Sequence, residues 1–183
     1  MTEIIYATGN PGKLSEVQRF ADSYKYRIIG EAPRGDETAP TLEENAIWKA
    51  QEVAQRFPNK MVIADDAGLE IDGLGGEPGI KVRRWKDGST RMNDQEIIDY
   101  CLTRMKQLQP GERGAQLRAA MAVVIPGQEP KVVDGILRGE ILESPDDNYV
   151  IEGYPFERLF YVPEWEMVLG ASMPCVRTRK VTS

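Results

Sequence analysis

The chain contains no histidine and only two cysteines in 183 residues. Without imidazole, Ser-His-Asp and Cys-His nucleophilic schemes are excluded, and the commonest zinc ligand is gone. Cys101 and Cys175 are too few for a disulfide framework or a thiolate zinc cluster, so each reads as a small reduced hydrophobe. No apolar run approaches the roughly 18 residues of a membrane span, and no charged-then-apolar leader opens the chain. A cytoplasmic setting with no membrane partner is the resulting expectation. Positive charge is also short: 23 Lys and Arg against 29 Asp and Glu leave a net charge of −6. That argues against general nucleic-acid binding, whose footprint is a basic surface. Hydrolytic chemistry here has to rest on carboxylates, Lys, Arg and hard metal ions held by oxygen.

What is present suits one globular domain over residues 1–183, long enough to bury a real core. Residues 3–7 read as a buried strand, and Leu14, Val17, Phe20 and Ala21 recur at helical spacing over 13–24. A short strand at 26–29 precedes a polar, turn-rich loop at 30–40. Thr41 and Glu44 form a capping-box pattern, and Ala46, Ala50, Val53, Ala54 and Phe57 mark a helix face that stops before Pro58. The apolar run 61–64 predicts a central strand, ended by Asp65-Asp66, with another short strand at 69–71 and a flexible glycine-rich loop at 73–79. Asn93 or Asp94 caps a third helix carrying Ile97, Ile98, Cys101, Leu102 and Met105 on one face. Strands at 116–125 and 132–141 join near Pro126-Gly127, a polar loop covers 144–153, and a last strand lies at 160–162. Early alternation of strands and helices with a late hairpin predicts an α/β fold with a mixed sheet.

Five segments bear on chemistry. Ala7-Thr8-Gly9-Asn10-Pro11-Gly12-Lys13 joins a strand to a helix start. Helix N-terminal N–H groups and one Lys suit phosphate; the run is not a Walker loop, and a plain turn is the other reading. Asp65 and Asp66 offer paired carboxylates that could hold Mg²⁺ or take a proton from water; taken alone, Asp-Asp-Ala-Gly reads first as a polar turn. Glu37, Glu43 and Glu44 are acids before and at a helix start, Glu43 being read as a plain dipole partner, and Lys49 follows on that helix. Lys81, Arg83, Arg84 and Lys86 flank Trp85 as a local anion site or a solvated run. Gly153-Tyr154-Pro155-Phe156-Glu157 sets aromatics that can stack on a base beside an acceptor carboxylate, or packs two core aromatics.

In order, these segments resemble the inosine triphosphate pyrophosphatase family, the pyrophosphatases of abnormal purine nucleoside triphosphates. Thr8-Gly9-Asn10-Pro11-Gly12-Lys13 is similar to its Thr-Gly-Asn-x-x-Lys opening. Glu44-Asn45-Ala46-Ile47-Trp48-Lys49-Ala50 resembles its Glu-Asn-Ala-x-x-Lys-Ala helix, Asp65-Asp66-Ala67-Gly68-Leu69 its Asp-Asp-Ser-Gly-Leu core, and Leu74-Gly75-Gly76-Glu77-Pro78-Gly79 its Leu-Gly-Gly-x-Pro-Gly loop. The resemblance runs from residue 3 to about 163. It implies a long mixed twisted sheet flanked by helices, two lobes with a central cleft, and a homodimer. It implies Mg²⁺-dependent (or Mn²⁺-dependent) cleavage of a nucleoside triphosphate to monophosphate and pyrophosphate. By the same resemblance Thr8, Gly9, Asn10 and Lys13 hold the triphosphate, with Lys49, Ala67 and Arg83 adding contacts. Glu37, Asp65 and Asp66 hold the metal, and Asp66 accepts the water proton. Tyr154, Phe156 and Glu157 meet the base. The chain departs from the pattern at Pro155, at Ala67 in place of a Ser, and near Val181-Thr182-Ser183, where the family has Ser-His-Arg and a final helix. Arg177 or Arg179 are the residues at hand to replace that pair. The phosphate chemistry is therefore the firmer expectation and the choice of base the weaker one. A nucleotide-binding module without turnover is the alternative, opposed by the retained acids and lysines.

Overall fold

The computed structural model of the chain describes residues 2–35 and 37–172. Its strands are β1 (Thr2–Tyr6), β2 (Tyr26–Gly30), β3 (Met61–Ile71), β4 (Pro78–Gly79), β5 (Gly114–Val124), β6 (Lys131–Ile141), β7 (Phe160–Val162) and β8 (Met167–Val168). Its helices are α1 (Pro11–Asp22), α2 (Leu42–Arg56), α3 (Asp94–Met105) and the short α4 (Leu169–Ser172). The strands form one sheet in the order β2-β1-β3-β5-β6-β7-β8, with β4 pairing β3. β1 runs parallel to β2 and β3, whereas β3–β4, β6–β7 and β7–β8 are antiparallel, so the expected mixed α/β sheet is what forms. Arg177, Arg179, Cys175 and Val181-Thr182-Ser183 lie outside the described residues. No helix among the described residues is long and apolar enough to cross a membrane.

The chain divides into two compact units. The first holds the residues up to Ala67 together with Arg118–Gly135; the second holds Gly68–Leu117 together with the described residues from Ile136 on. In the first, the two-residue period of the strands sorts the core onto two faces. Ile4, Tyr6, Ile28 and Ile63 pack with Leu14, Val17 and Ala21 of α1. Ile5, Ala7, Val62 and Ala64 point the other way and are also buried, as are Ala46, Ala50 and Val53 of α2. Burying side chains of this size contributes about 1.5–3 kcal/mol each for the larger ones. Phe20, which its spacing assigns to the buried face of α1, is instead 69% exposed. Ala21 beside it takes the inward position, and Phe20, one 100° step further round, lies outside the packed face.

The outer edge of β2 is closed by one side chain. Glu31 donates its N–H to Tyr6 on the β1 side, so Tyr26 and Ile28 turn their backbone groups outward. The Gln18 amide of α1 donates to the Tyr26 carbonyl at 3.2 Å and accepts from the Ile28 N–H at 2.7 Å. A side-chain amide thus stands where a further strand would otherwise add.

In the second unit, α3 begins with a full capping box between Asn93 and Glu96. Its Ile97, Ile98, Cys101 and Met105 are fully buried with Leu69, Ile71, Leu159 and Phe160. Trp85 meets Tyr100 edge-on, with ring centroids 5.4 Å apart.

The largest departure from the sequence reading is β3. Asp65-Asp66 does not end a strand, and 69–71 is not a separate one; a single strand runs from Met61 to Ile71. Different neighbours hold its two ends extended: β1 pairs with Met61–Ile63, and β4 with Leu69 and Glu70. Gly68 is there for space rather than for turning. A Cβ on it would lie 2.5 Å from the Gly79 carbonyl oxygen, so only glycine lets β4 approach. The 73–79 loop is ordered by the same pairing, with a single 3₁₀ turn at Asp72–Leu74 leading into β4.

Candidate functional site

The first unit gathers the acids and lysines around β3. Beyond Ile63, the last residue paired with β1, the strand continues into Asp65 and Asp66. Because the strand is unbroken, its period of two sends the two carboxylates to opposite faces.

Asp65 follows Met61 and Ile63 onto the α1 face. Lys13, in the first turn of α1, places its Nζ 2.5 Å from Asp65 Oδ2, and the buried Tyr6 hydroxyl donates to Oδ1 at 2.5 Å. The helix start that carries Lys13 is built locally. Asn10 is its N-cap, its Oδ1 accepting from Gly12 and Lys13, with Pro11 at the first helical position. Thr8 Oγ1 accepts from the Asn10 N–H at 3.1 Å and so closes the turn before it. The Asn10 oxygen is therefore a helix cap, while its amide NH₂ remains a donor. Burial pushes the Asp65 carboxyl up, but the Lys13 charge and hydrogen bond, the Tyr6 hydroxyl and the Lys49 charge together hold it below its ordinary value.

Asp66 follows Val62 and Ala64 onto the α2 face. Asn45 donates to its Oδ2 at 3.0 Å, and Lys49 Nζ lies 3.1 Å from its Oδ1. Lys49 also meets Glu37 Oε1 at 3.2 Å. These α2 residues are placed by a start at Thr41, whose hydroxyl accepts from the Glu44 N–H at 3.2 Å. The Glu44 carboxylate returns to the Thr41 hydroxyl rather than to its backbone, so the expected box closes side chain to side chain. Glu43 pairs with Arg118 at 2.7 Å, in addition to sitting at the helix start. Burial is the main influence on Asp66 and raises its carboxyl; the Lys49 charge opposes this, the Glu37 charge adds to it, and the net direction is upward. Ala67 next to it is exposed.

Two adjacent carboxylates are thus pushed in opposite directions, the pattern expected when one is to stay ionised and the other is to accept a proton. Among the described residues no three His, Cys, Asp or Glu side chains gather into a metal cage. A small hard cation does not need one, because one or two carboxylates with phosphate oxygens and water suffice. Glu37 and Asp66 already share a single cation, the Lys49 ammonium. They are the donors that fit. Asp65, turned to Lys13 and Tyr6, does not join them.

The remaining candidates belong to the second unit. Arg83 has internal partners: Asp94 Oδ1 at 2.5 Å and the Gly153 carbonyl at 2.8 Å. Arg84 donates to the Ser89 carbonyl at 3.2 Å, and the next residue, Trp85, is buried with its Nε1 donating to Glu77. That basic run is therefore in part a set of structural ties. Of the aromatic pair, Phe156 is a core residue at 5% exposure and Tyr154 is half-buried; Glu157 is buried. Two residues that sequence reasoning left without a role, Tyr6 and Asn45, contact the carboxylates directly. Tyr6 carried one signal, a hydroxyl on the last residue of an apolar strand, and Asn45 carried its place in the Glu44-Asn45-Ala46 motif.

The fold and these contacts define an α/β protein whose paired acids lie on β3 just past its parallel pairing with β1, beside the glycine-containing helix start that follows β1, the region where such folds hold phosphorylated ligands. Comparison with known proteins makes this more particular. The Ham1 family model matches residues 4–180, and the chain belongs to the Ham1 family. It is similar to the dITP/XTP pyrophosphatase of Bacillus subtilis (strain 168), at 41% identity over 175 residues, 93% of this chain and 85% of the relative. It is also similar to that of Thermus thermophilus, at 34% over 166 residues, 88% of this chain and 77% of the relative. Among solved structures, the Staphylococcus aureus Ham1 protein superposes with a TM-score of 0.73 at 32% identity, covering 94% of this chain and 88% of that one. A HAM1 protein from Coxiella burnetii gives a TM-score of 0.77 at 28% identity, covering 95% and 88%.

Proposed function

We propose that this chain hydrolyses dITP, XTP and related abnormal purine nucleoside triphosphates, ITP among them, to the monophosphate and pyrophosphate. The observation that carries the reading is the Asp65–Asp66 pair, adjacent carboxylates on opposite faces of β3, one held by Lys13 and Tyr6 and the other buried beside Lys49 and Asn45. The names of its relatives, dITP/XTP pyrophosphatases, support the substrate class.

Asp66 is the proposed base. Burial raises its carboxyl, and a more basic carboxylate takes a proton from water more readily than an ordinary one. One Asn45 N–H and one Lys49 N–H orient its two oxygens, and each oxygen keeps a second lone pair for water. Lys13, with the turn residues Thr8, Gly9 and Asn10 before α1, is the proposed triphosphate contact. Its ammonium is held in place by the Asp65 carboxylate. Glu37 and Asp66 are the proposed holders of Mg²⁺, with Mn²⁺ as a substitute. Bound there, the ion supplies Lewis-acid stabilisation of the phosphate charge. Arg83 and Ala67 are proposed as further contacts to the substrate. Tyr154 is proposed to stack on the base and Glu157 to accept from its edge. The chain is proposed to act as one catalytic domain and as a homodimer in the cytoplasm, without nucleic-acid partners.

The test is a panel of inosine, xanthosine, guanosine, adenosine and pyrimidine triphosphates, ribo and deoxy, with Mg²⁺. Released pyrophosphate is scored against released phosphate. The expected result is pyrophosphate from purine substrates, dITP and XTP foremost, and none in EDTA. Orthophosphate as the direct product, or full activity in EDTA, would overturn the reading. Tyr154→Ala should weaken all nucleotides alike, at about 1–3 kcal/mol, while Glu157→Gln should reorder the bases.

A further inference from the structure

We propose that Asn45 is a positioning residue, an amide clamp that locks the loop carrying Glu37 to the Asp66 carboxylate. Its catalytic consequence rests on the proposed function; the clamp itself rests on geometry alone.

Asn45 lies in the first turn of α2 and is 4% exposed. Its two ends have different partners. Nδ2 donates to Asp66 Oδ2 at 3.0 Å, and Oδ1 accepts the backbone N–H of Ala39 at 3.1 Å. The orientation is dictated by these partners. Turned over, the amide would set its oxygen against a carboxylate and its NH₂ against an N–H. Ala39 stands two residues after Glu37, in an irregular stretch with no strand or helix ladder of its own. Before Glu37 the same stretch is tied to α2 by Arg56 on the Ala32 carbonyl and by Glu52 on the Arg34 N–H. After Glu37 it is tied by Asn45. One buried side chain therefore fixes both the base and the segment presenting the second acid. The result is the convergence of Glu37 and Asp66 on Lys49, at 3.2 and 3.1 Å.

The nearest replacements do not do both. Asp keeps the acceptor for Ala39 but places a second carboxylate against Asp66. Ala loses both bonds. Gln carries the amide one carbon too far. The two halves of the clamp are thereby separable, because Asn45→Asp breaks only the half toward Asp66 and Asn45→Ala breaks both.

The experiment measures two things on the full chain. The first is hydrogen exchange of the Ala39 amide without metal or nucleotide. The second is kcat and KM for dITP with Mg²⁺. In Asn45→Ala, Ala39 exchange should speed up at least about tenfold, as expected when a local tie opens. There kcat should fall about 100-fold while KM moves less than about threefold, since misplacement of reacting groups costs that order. In Asn45→Asp, Ala39 should remain within about threefold of the parent and kcat should still fall about 100-fold. The Val62 and Ala64 amides report that β3 is intact; if the added carboxylate unfolds it, Asn45→Ala decides. Unchanged Ala39 exchange in Asn45→Ala, or retained kcat in a folded Asn45→Asp, overturns the proposal. Absence of pyrophosphate release in the parent chain would instead overturn the function, and Ala39 exchange would still decide the clamp.

Discussion

The two faces of β3 hold neighbouring aspartates in opposite electrostatic states. On the α1 face, Asp65 has a lysine and a tyrosine hydroxyl and is held below the ordinary carboxylate value. On the α2 face, Asp66 has a lysine and an amide, but it shares that lysine with Glu37, and burial raises it. One positive charge per carboxylate stabilises the anion; one positive charge for two carboxylates does not offset the desolvation of the more buried one. Adjacent identical residues thus differ because a strand turns them to different helices.

The sharpest way to break the comparison is to neutralise each acid in turn. Asp66→Asn removes the proposed base, and kcat should fall by about 10²–10⁴-fold at saturating Mg²⁺. Pyrophosphate release checks it, and retention of more than about a tenth of kcat would falsify the assignment. Lys13→Ala should act on binding rather than chemistry. Loss of one charge-assisted contact of about 1.5–3 kcal/mol raises KM for the triphosphate about 10- to 100-fold. A steady-state titration reads this, and an unchanged KM would return the Thr8–Lys13 run to a plain turn.

Gly68→Ala tests the strand continuity that separates the two faces. Its Cβ would meet the Gly79 carbonyl oxygen at 2.5 Å, so urea unfolding should show a loss of about 1–3 kcal/mol. A neutral result would mean that β4 does not hold that end of β3.

Tyr6→Phe probes the α1 face alone. It removes a donor from a buried carboxylate and should cost about 1–3 kcal/mol near pH 7. The sign with pH follows from the depressed Asp65. Its stabilising contribution is complete above the unfolded value of about 3.9 and is lost as pH falls through the lower folded value. The difference between the parent and Tyr6→Phe should therefore shrink below about pH 4. Asp66 works the other way, since a raised carboxyl makes the folded state more stable as pH falls through it, down to the unfolded value. Urea midpoints across that range test both, and a Tyr6→Phe difference constant down to pH 2 would remove Asp65 as its cause.

Much of the frame was legible because short-range physics writes it into the chain. Helix starts at Thr41 and Asn93, and apolar runs at β1 and β3, need only capping groups and periodicity to be seen, whereas α1 begins at Pro11 rather than at residue 13 because Asn10 caps it. The phosphate-type turn and the acids at Glu37, Asp65 and Asp66 were visible as residue types in motif order. What misled was Gly68, since a glycine after Asp-Asp-Ala reads as a turn, and its need for close approach involves Gly79, eleven positions away. Phe20 misled for a related reason: periodicity marks a face of a helix but not how far round the helix the packing extends.

The sequence by itself determined the α/β class, the reliance on carboxylates and lysines rather than His or Cys, and the family to which those motifs belong. Tertiary structure alone decided which lysine serves which aspartate, that Tyr6 and Asn45 complete their shells, and that Glu37 meets Asp66 through Lys49. The division has one physical cause. Capping, periodicity and composition act over a few residues, whereas a carboxylate's state depends on burial and on charges brought within about 4 Å by chain segments as far apart as Tyr6 and Asp65.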